Sequence, residues 1–165
     1  MAKITGKKCD FLVSKTGATP AYASLGQIMS IGGISQTSDE VDATTLEATD
    51  FRDFIQGFKD PGECSVTLAW DPTLVGHGSA AGGVISYFKT GETVRCAIKL
   101  NYTTPKYLLF DAFVRDMNYP EINPDDVVTL NPVFRVKTDV TLADTLPVTF
   151  ASEGVGAEPQ FAKAA

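Results

Sequence analysis

Few residues in this 165-residue chain could do chemistry, and their spacing is wrong for catalysis. His77 is the sole histidine and sits in "GHGSAAGG", a glycine-rich run that matches neither GxxxxGK[ST] nor GxGxxG. A nucleophile triad needs a base oriented by an acid, and one histidine among glycines provides no such arrangement. Cys9, Cys64 and Cys96 are an odd number at wide spacing, so they form neither a disulfide framework nor a CxxC zinc site. They read as small core thiols. Asp125 and Asp126 adjoin in "NPDD", but neighbours on an extended chain point apart, and the stretch reads as a solvated turn. The sequence therefore predicts no catalytic residue, no metal ligand set and no cofactor site.

Charge says more than motif. The formal net charge is −6. Between Asp39 and Glu63 lie eight acids (Asp39, Glu40, Asp42, Glu47, Asp50, Asp53, Asp60, Glu63) against two bases, Arg52 and Lys59, so this segment carries the whole imbalance. A second acidic patch comprises Asp116, Glu121, Asp125 and Asp126. Such a balance opposes a nucleic-acid grip, which needs clustered Lys and Arg. The first segment, 38–62, reads as a long irregular loop, and loops beyond ~12–15 residues in compact domains are functional or disordered. Disorder fits poorly, because Phe51, Phe54, Ile55 and Phe58 fall within eight residues. These side chains, with Asp50, Asp53 and Lys59 among them, are expected to meet another subunit.

The elements that must hold this segment are mostly strands. In "ECSVTLAW", Cys64, Val66, Leu68 and Trp70 alternate with Glu63, Ser65, Thr67 and Ala69; "TVRCAIKL" repeats the period of two, and Cys9, Phe11 and Val13 do so near the N-terminus. "KYLLFDAFVRDMNY" carries Leu108, Phe110, Ala112 and Val114 on one face and Tyr107, Leu109, Phe113 and Met117 on the other, so it expects cover on both. "VVTLNPVFRVKTDV" is a last long strand with a bulge or edge at Pro132, and "GQIMSIGGISQT" a weaker one. One helix is expected at about 79–90, ending at Gly91, although Gly76, Gly78, Gly82 and Gly83 each cost ~1 kcal/mol inside a helix. No run approaches the ~18 apolar residues of a membrane span, and a soluble protein made in a cytoplasm is expected. The fold class is α+β, mainly β: a β-sandwich or open barrel of about six to eight strands with one flanking helix and a long loop between the second and third strands. The expected division is a domain over 1–139 and a C-terminal extension over 140–165.

"VDATTLEATDFRDFIQGFKDPGECSVTLAWDPT", a following helix ending in "GE", and "VVTLNPVFRVKTD" together resemble the tail tube (major tail) proteins of long-tailed bacteriophages with non-contractile tails. The resemblance runs from about Asp10 to Lys137; the glycine run around His77 and the tail after Asp139 depart from it. It implies a structural virion protein of the phage tail, not an enzyme, with no cofactor. It further implies hexameric rings, joined by the long loop and stacked into a tube through which DNA passes without specific binding. Tail terminator, tape measure and tail-tip proteins are the implied partners, and Asp116, Glu121, Asp125 and Asp126 become candidates for an acidic lumen. A barrel of roughly 24 strands would be ~48 Å across, wide enough for a DNA duplex. The competing readings are a tube protein of a contractile tail or type VI secretion system, and a monomeric β-sandwich binding carbohydrate or peptide. Trp70, pointing inward with Leu68, disfavours the last of these.

Overall fold

The computed structural model describes residues 5–16, 20–47 and 51–147. Over these residues the strands are β1 (Asp10–Lys15), β2 (Ala23–Ser24), β3 (Ile28–Ile31), β4 (Thr37–Asp42), β5 (Phe54–Asp60), β6 (Glu63–Ala69), β7 (Val94–Leu100), β8 (Lys106–Asn118), β9 (Thr129–Val136) and β10 (Thr141–Ala143). The helix α1 (Val84–Thr90) lies between β6 and β7. The fold is mainly β, as expected, and the main sheet runs β2-β1-β7-β8-β9-β6-β3, antiparallel throughout, with β10 also on β8.

The two ends of this sheet are consecutive in the chain. After pairing with β1 at Ser24, the chain turns through Gly26 (φ 68°) and Gln27 (φ 49°) and begins pairing with β6 at Ile28. Leu25 N–H donates to Phe11 O at 3.0 Å and Ala69 N–H to Gln27 O at 2.8 Å, which draws the two edges into a seam. At the other side β8 gives residues 106–112 to β7 and 112–118 to β9, bending from one layer into the next. The layers close on each other through Phe11, whose ring lies 5.1 Å from Phe134 and 6.2 Å from Phe110.

The alternating residues fill that core. Cys64, Val66 and Leu68 of β6, Val94 and Cys96 of β7, and Leu130, Phe134 and Val136 of β9 are buried. Each large apolar side chain so buried contributes ~1.5–3 kcal/mol. In β8 the period slips, because Val114 faces Phe134 while Asp116 faces Val133, leaving Arg115 as an unpaired bulge between them. Met117 therefore lies opposite Pro132 and packs on the core, and Asp116 takes the outward place that strict alternation had given to Met117. The β6–β9 ladder is interrupted at Pro132 as expected, passing from Ser65–Val133 to Leu68–Leu130, but β9 is an interior strand rather than an edge.

One expected boundary moves. The helix begins at Val84, not near 79, since Gly82 has φ 96° and a Cβ on Gly83 would stand 2.0 Å from Gly78 O. Its end is as expected, with Gly91 left-handed (φ 67°) and its N–H on Tyr87 O at 3.0 Å. Past residue 139, β10 pairs Thr141–Ala143 with Tyr107–Leu109 along the edge of β8. The cover expected on the second face of β8 is partial, with Tyr107, Leu109 and Phe113 half-buried. Residues 148–165 lie outside the described residues.

Candidate functional site

The segment read as an irregular loop is paired: β4 and β5 form a two-stranded sheet of their own, an arm inserted in the β3–β6 hairpin. It is narrow where it leaves the barrel. Gly32 N–H donates to Ser65 O at 2.6 Å, and a Cβ on Gly32 would sit 2.3 Å from Ser65 Oγ. Gly62 (φ 80°) passes so close to Ser35 that a Cβ would be 2.2 Å from its carbonyl oxygen. These two glycines permit a neck that no larger residue fits.

Arginines from the barrel hold the neck. Arg135 Nη2 donates to both oxygens of Asp60 at 2.8 and 2.9 Å, and its Nη1 reaches Glu63 Oε1 at 3.3 Å. Arg115 donates to Glu63 and, through Nε at 2.7 Å, to Asp116. The Gly62 N–H, 2.8 Å from Asp60 Oδ1, and then Arg135 hold the Asp60 carboxyl below the usual carboxylate range. Composition counted Asp60 and Glu63 in the acidic segment, but their charge is answered from β8 and β9. That clamp was hidden in the sequence because its partners are separated by 52 to 75 residues.

Beyond the neck the ladder pairs Ser38 with Lys59, bulges opposite Asp39, and resumes with Glu40–Gln56, Val41–Ile55 and Asp42–Phe54. The main chain continues it, with Ala43 N–H on Asp53 O at 2.8 Å, while the Thr44 hydroxyl accepts from Asp53 N–H at 2.9 Å. Asp53 thus works through its backbone. The arm's apolar side chains are bare: Phe51 and Phe58 are each 89% exposed, Phe54 53% and Ile55 54%. Asp50 lies outside the described residues.

The four candidate lumen acids separate. Asp116 stands on β8 against Arg115, so its charge is offset. Glu121, Asp125 and Asp126 are exposed on the loop between β8 and β9, where Asp126 N–H donates to Asn123 O at 3.3 Å. Among the described residues these three have no ion pair.

His77 is fully buried and structural in its bonding. Its Nδ1 accepts from Asp71 N–H and its Nε2 stands against Gly26 O, each at 3.1 Å, so the ring carries its proton on Nε2 and joins the β6 exit to the seam. Burial pushes the Cys64 thiol up to about 11 and the Cys96 thiol well above its ordinary value, which makes both inert. Among the described residues no group of His, Cys, Asp and Glu could hold a metal ion, and no helix is long and apolar enough to cross a membrane. Trp70 is half-buried and edge-on to Tyr119 at 5.9 Å.

Residues 2–83 match the family described as phage tail tube, TTP, lambda-like. No curated protein sequence matches the chain. Among solved structures, a chain in the virion of a native gene transfer agent particle superposes with TM-score 0.63 at 12% identity, over 86% of this chain and 99% of that one. The SPP1 tail tube gives 0.58 at 14%, covering 81% and 76%. A chain in the baseplate of the anti-feeding prophage gives 0.61 at 12%, covering 87% and 97%. At these identities the likeness is one of fold.

Proposed function

We infer that this chain, a member of the phage tail tube family by the pattern its first half carries, builds the tail tube as stacked rings of identical subunits. It is a structural virion protein and not an enzyme. The observation that carries the assembly reading is the arm, a hairpin with its own ladder and no core of its own, whose aromatic side chains stand in solvent. An isolated two-stranded hairpin is marginal in water, so this one is built to be completed by a neighbour. Phe51, Phe54, Ile55 and Phe58 are the anchors, since aromatic side chains dominate interface energetics; Asp50, Asp53 and Lys59 belong to the polar surround.

Six subunits per ring is the reading favoured by the sixfold symmetry used for the gene transfer agent tail. The barrel over residues 1–139 forms the ring, with 140–165 as its extension and β10 as the link between them. Terminator, tape measure and tail-tip proteins would bind the tube's ends and interior. DNA passes without being held: exposed Glu121, Asp125 and Asp126 repel phosphate, whereas bases there would bind it through counterion release. Asp116, with Arg115 beside it, adds little to that repulsion. A tube from a contractile system is a second reading, because a chain in the sheath-tube complex of an extracellular contractile injection system superposes comparably, with TM-score 0.57.

Electron microscopy of the purified protein tests this directly. Rings or tubes of one protein are expected, and a monomer at every concentration would refute it. Replacing Asp125 and Asp126 by Lys should leave assembly intact and slow DNA ejection, most at low salt; a failure to assemble would assign those acids to subunit contacts.

A further inference from the structure

The arm supplies an apolar plug, and the same subunit carries a groove of matching character that its own arm does not line. This groove, about 650 Å3, lies between β1–β2 and the stretch running from the Val75–His77 turn into α1. Val13, Ala23, Leu25, Leu74, Val75 and Tyr87 are among its lining residues, and Lys15 and Glu92, paired at 3.3 Å, close one side. Val75 stands 67% exposed at its lip. A second groove of about 580 Å3, at the arm's base, is lined instead by polar residues including Gln36, Gln56, Lys59 and Asp139, and offers aromatic rings much less.

We propose that the aromatic arm of one subunit seats in the groove between β2 and α1 of a neighbouring copy. The area suits this. At ~200 Å2 per aromatic side chain, Phe51, Phe54 and Phe58 leave roughly 450 Å2 in water, more than half of the ~800 Å2 each partner of a stable interface contributes. So large a bare patch exceeds what scattered surface residues explain. The volume suits it too, since cavities of ~300–1,000 Å3 are those that enclose small apolar groups. Plug and socket belong to different parts of the subunit, so their mating is heterologous and propagates from copy to copy instead of closing at a dimer. The inference rests on the tube reading and adds where the arm lands.

Ala81 lines the groove and is exposed, so Ala81→Trp fills the socket without touching the arm. The variant should keep native circular dichroism and raise the concentration needed for assembly at least ~30-fold, the effect of losing one interface hot spot. Independently, one chain carrying Phe51→Cys and Val75→Cys should, after oxidation of formed tubes, give a ladder of covalent multimers that neither single variant gives. Normal assembly of Ala81→Trp, or a double variant with no more ladder than the singles, overturns the proposal and sends the arm elsewhere. Wild-type protein that never assembles would instead sink the tube reading itself.

Discussion

The strands β5 and β6 are seven residues each and are joined through Pro61 and Gly62, yet they live in different environments. In β6 every second side chain, Cys64, Val66 and Leu68, is wholly buried. Along β5 no side chain is buried, although Phe54, Ile55 and Phe58 are as apolar as anything in the core. The sequence is apolar in both; the difference is what stands opposite. Opposite β6 lies a second layer, and the apolar side chains of β5 face water in the subunit. Apolar content therefore marks two separate stores of free energy in this chain, one released on folding and the other, on the assembly reading proposed above, released when copies meet.

That contrast predicts a descending series of effects on the stability of the isolated subunit. Phe134→Ala, which empties the contact with Phe11, should cost about 3–5 kcal/mol in denaturant unfolding; a loss below ~1 kcal/mol would mean that the layers are not the source of stability. His77→Leu strands Asp71 N–H and Gly26 O in the interior and should cost about 2–6 kcal/mol, at ~1–3 per unsatisfied group. Phe54→Ser with Phe58→Ser should move subunit stability by no more than ~0.5 kcal/mol, as surface changes do, yet abolish tubes in the microscope. If near-native circular dichroism disappears with the tubes, those residues belong to the fold.

The neck offers a finer test. The Asp60 carboxyl titrates below its unfolded value of 3.8, so the stability it gives is present above that pH and is lost as pH falls through its lower folded value. Amide exchange in β4 and β5 should accelerate below about pH 4 before exchange in β9 does. Equal protection of arm and barrel through that range would remove Asp60 from the clamp. The smallest effect concerns reagents: at pH 8 Cys9, partly exposed, should alkylate in the native subunit while Cys64 and Cys96 wait for unfolding.

What could be read from sequence follows the same division. Strands that bury one face announce themselves by alternation, so β1, β6, β7 and β9 were legible, and Gly91 marked the helix end. The arm's residues were picked out by type, but its pairing was not, because β4 reads "TSDEVD", a run with no apolar face, and its bulge breaks the register. The bulge at Arg115 was equally invisible and misplaced Met117. Local pattern reports what a strand packs on; it is silent about ladders made by polar chains and about clamps such as Arg135–Asp60 that span the sequence.

The neck also decides how the subunit bears load. The ladder of β4 with β5 and that of β3 with β6 are two lengths of one interrupted hairpin, and β6 lies between β3 and β9. A pull on the arm along its axis runs through Pro61–Gly62 directly into β6, parallel to that strand. Hydrogen bonds on both of its flanks are then strained together in shear instead of being unzipped one by one. Tension on the arm would thus arrive at a strand held on both sides, by β3 and by β9, and not at a free edge.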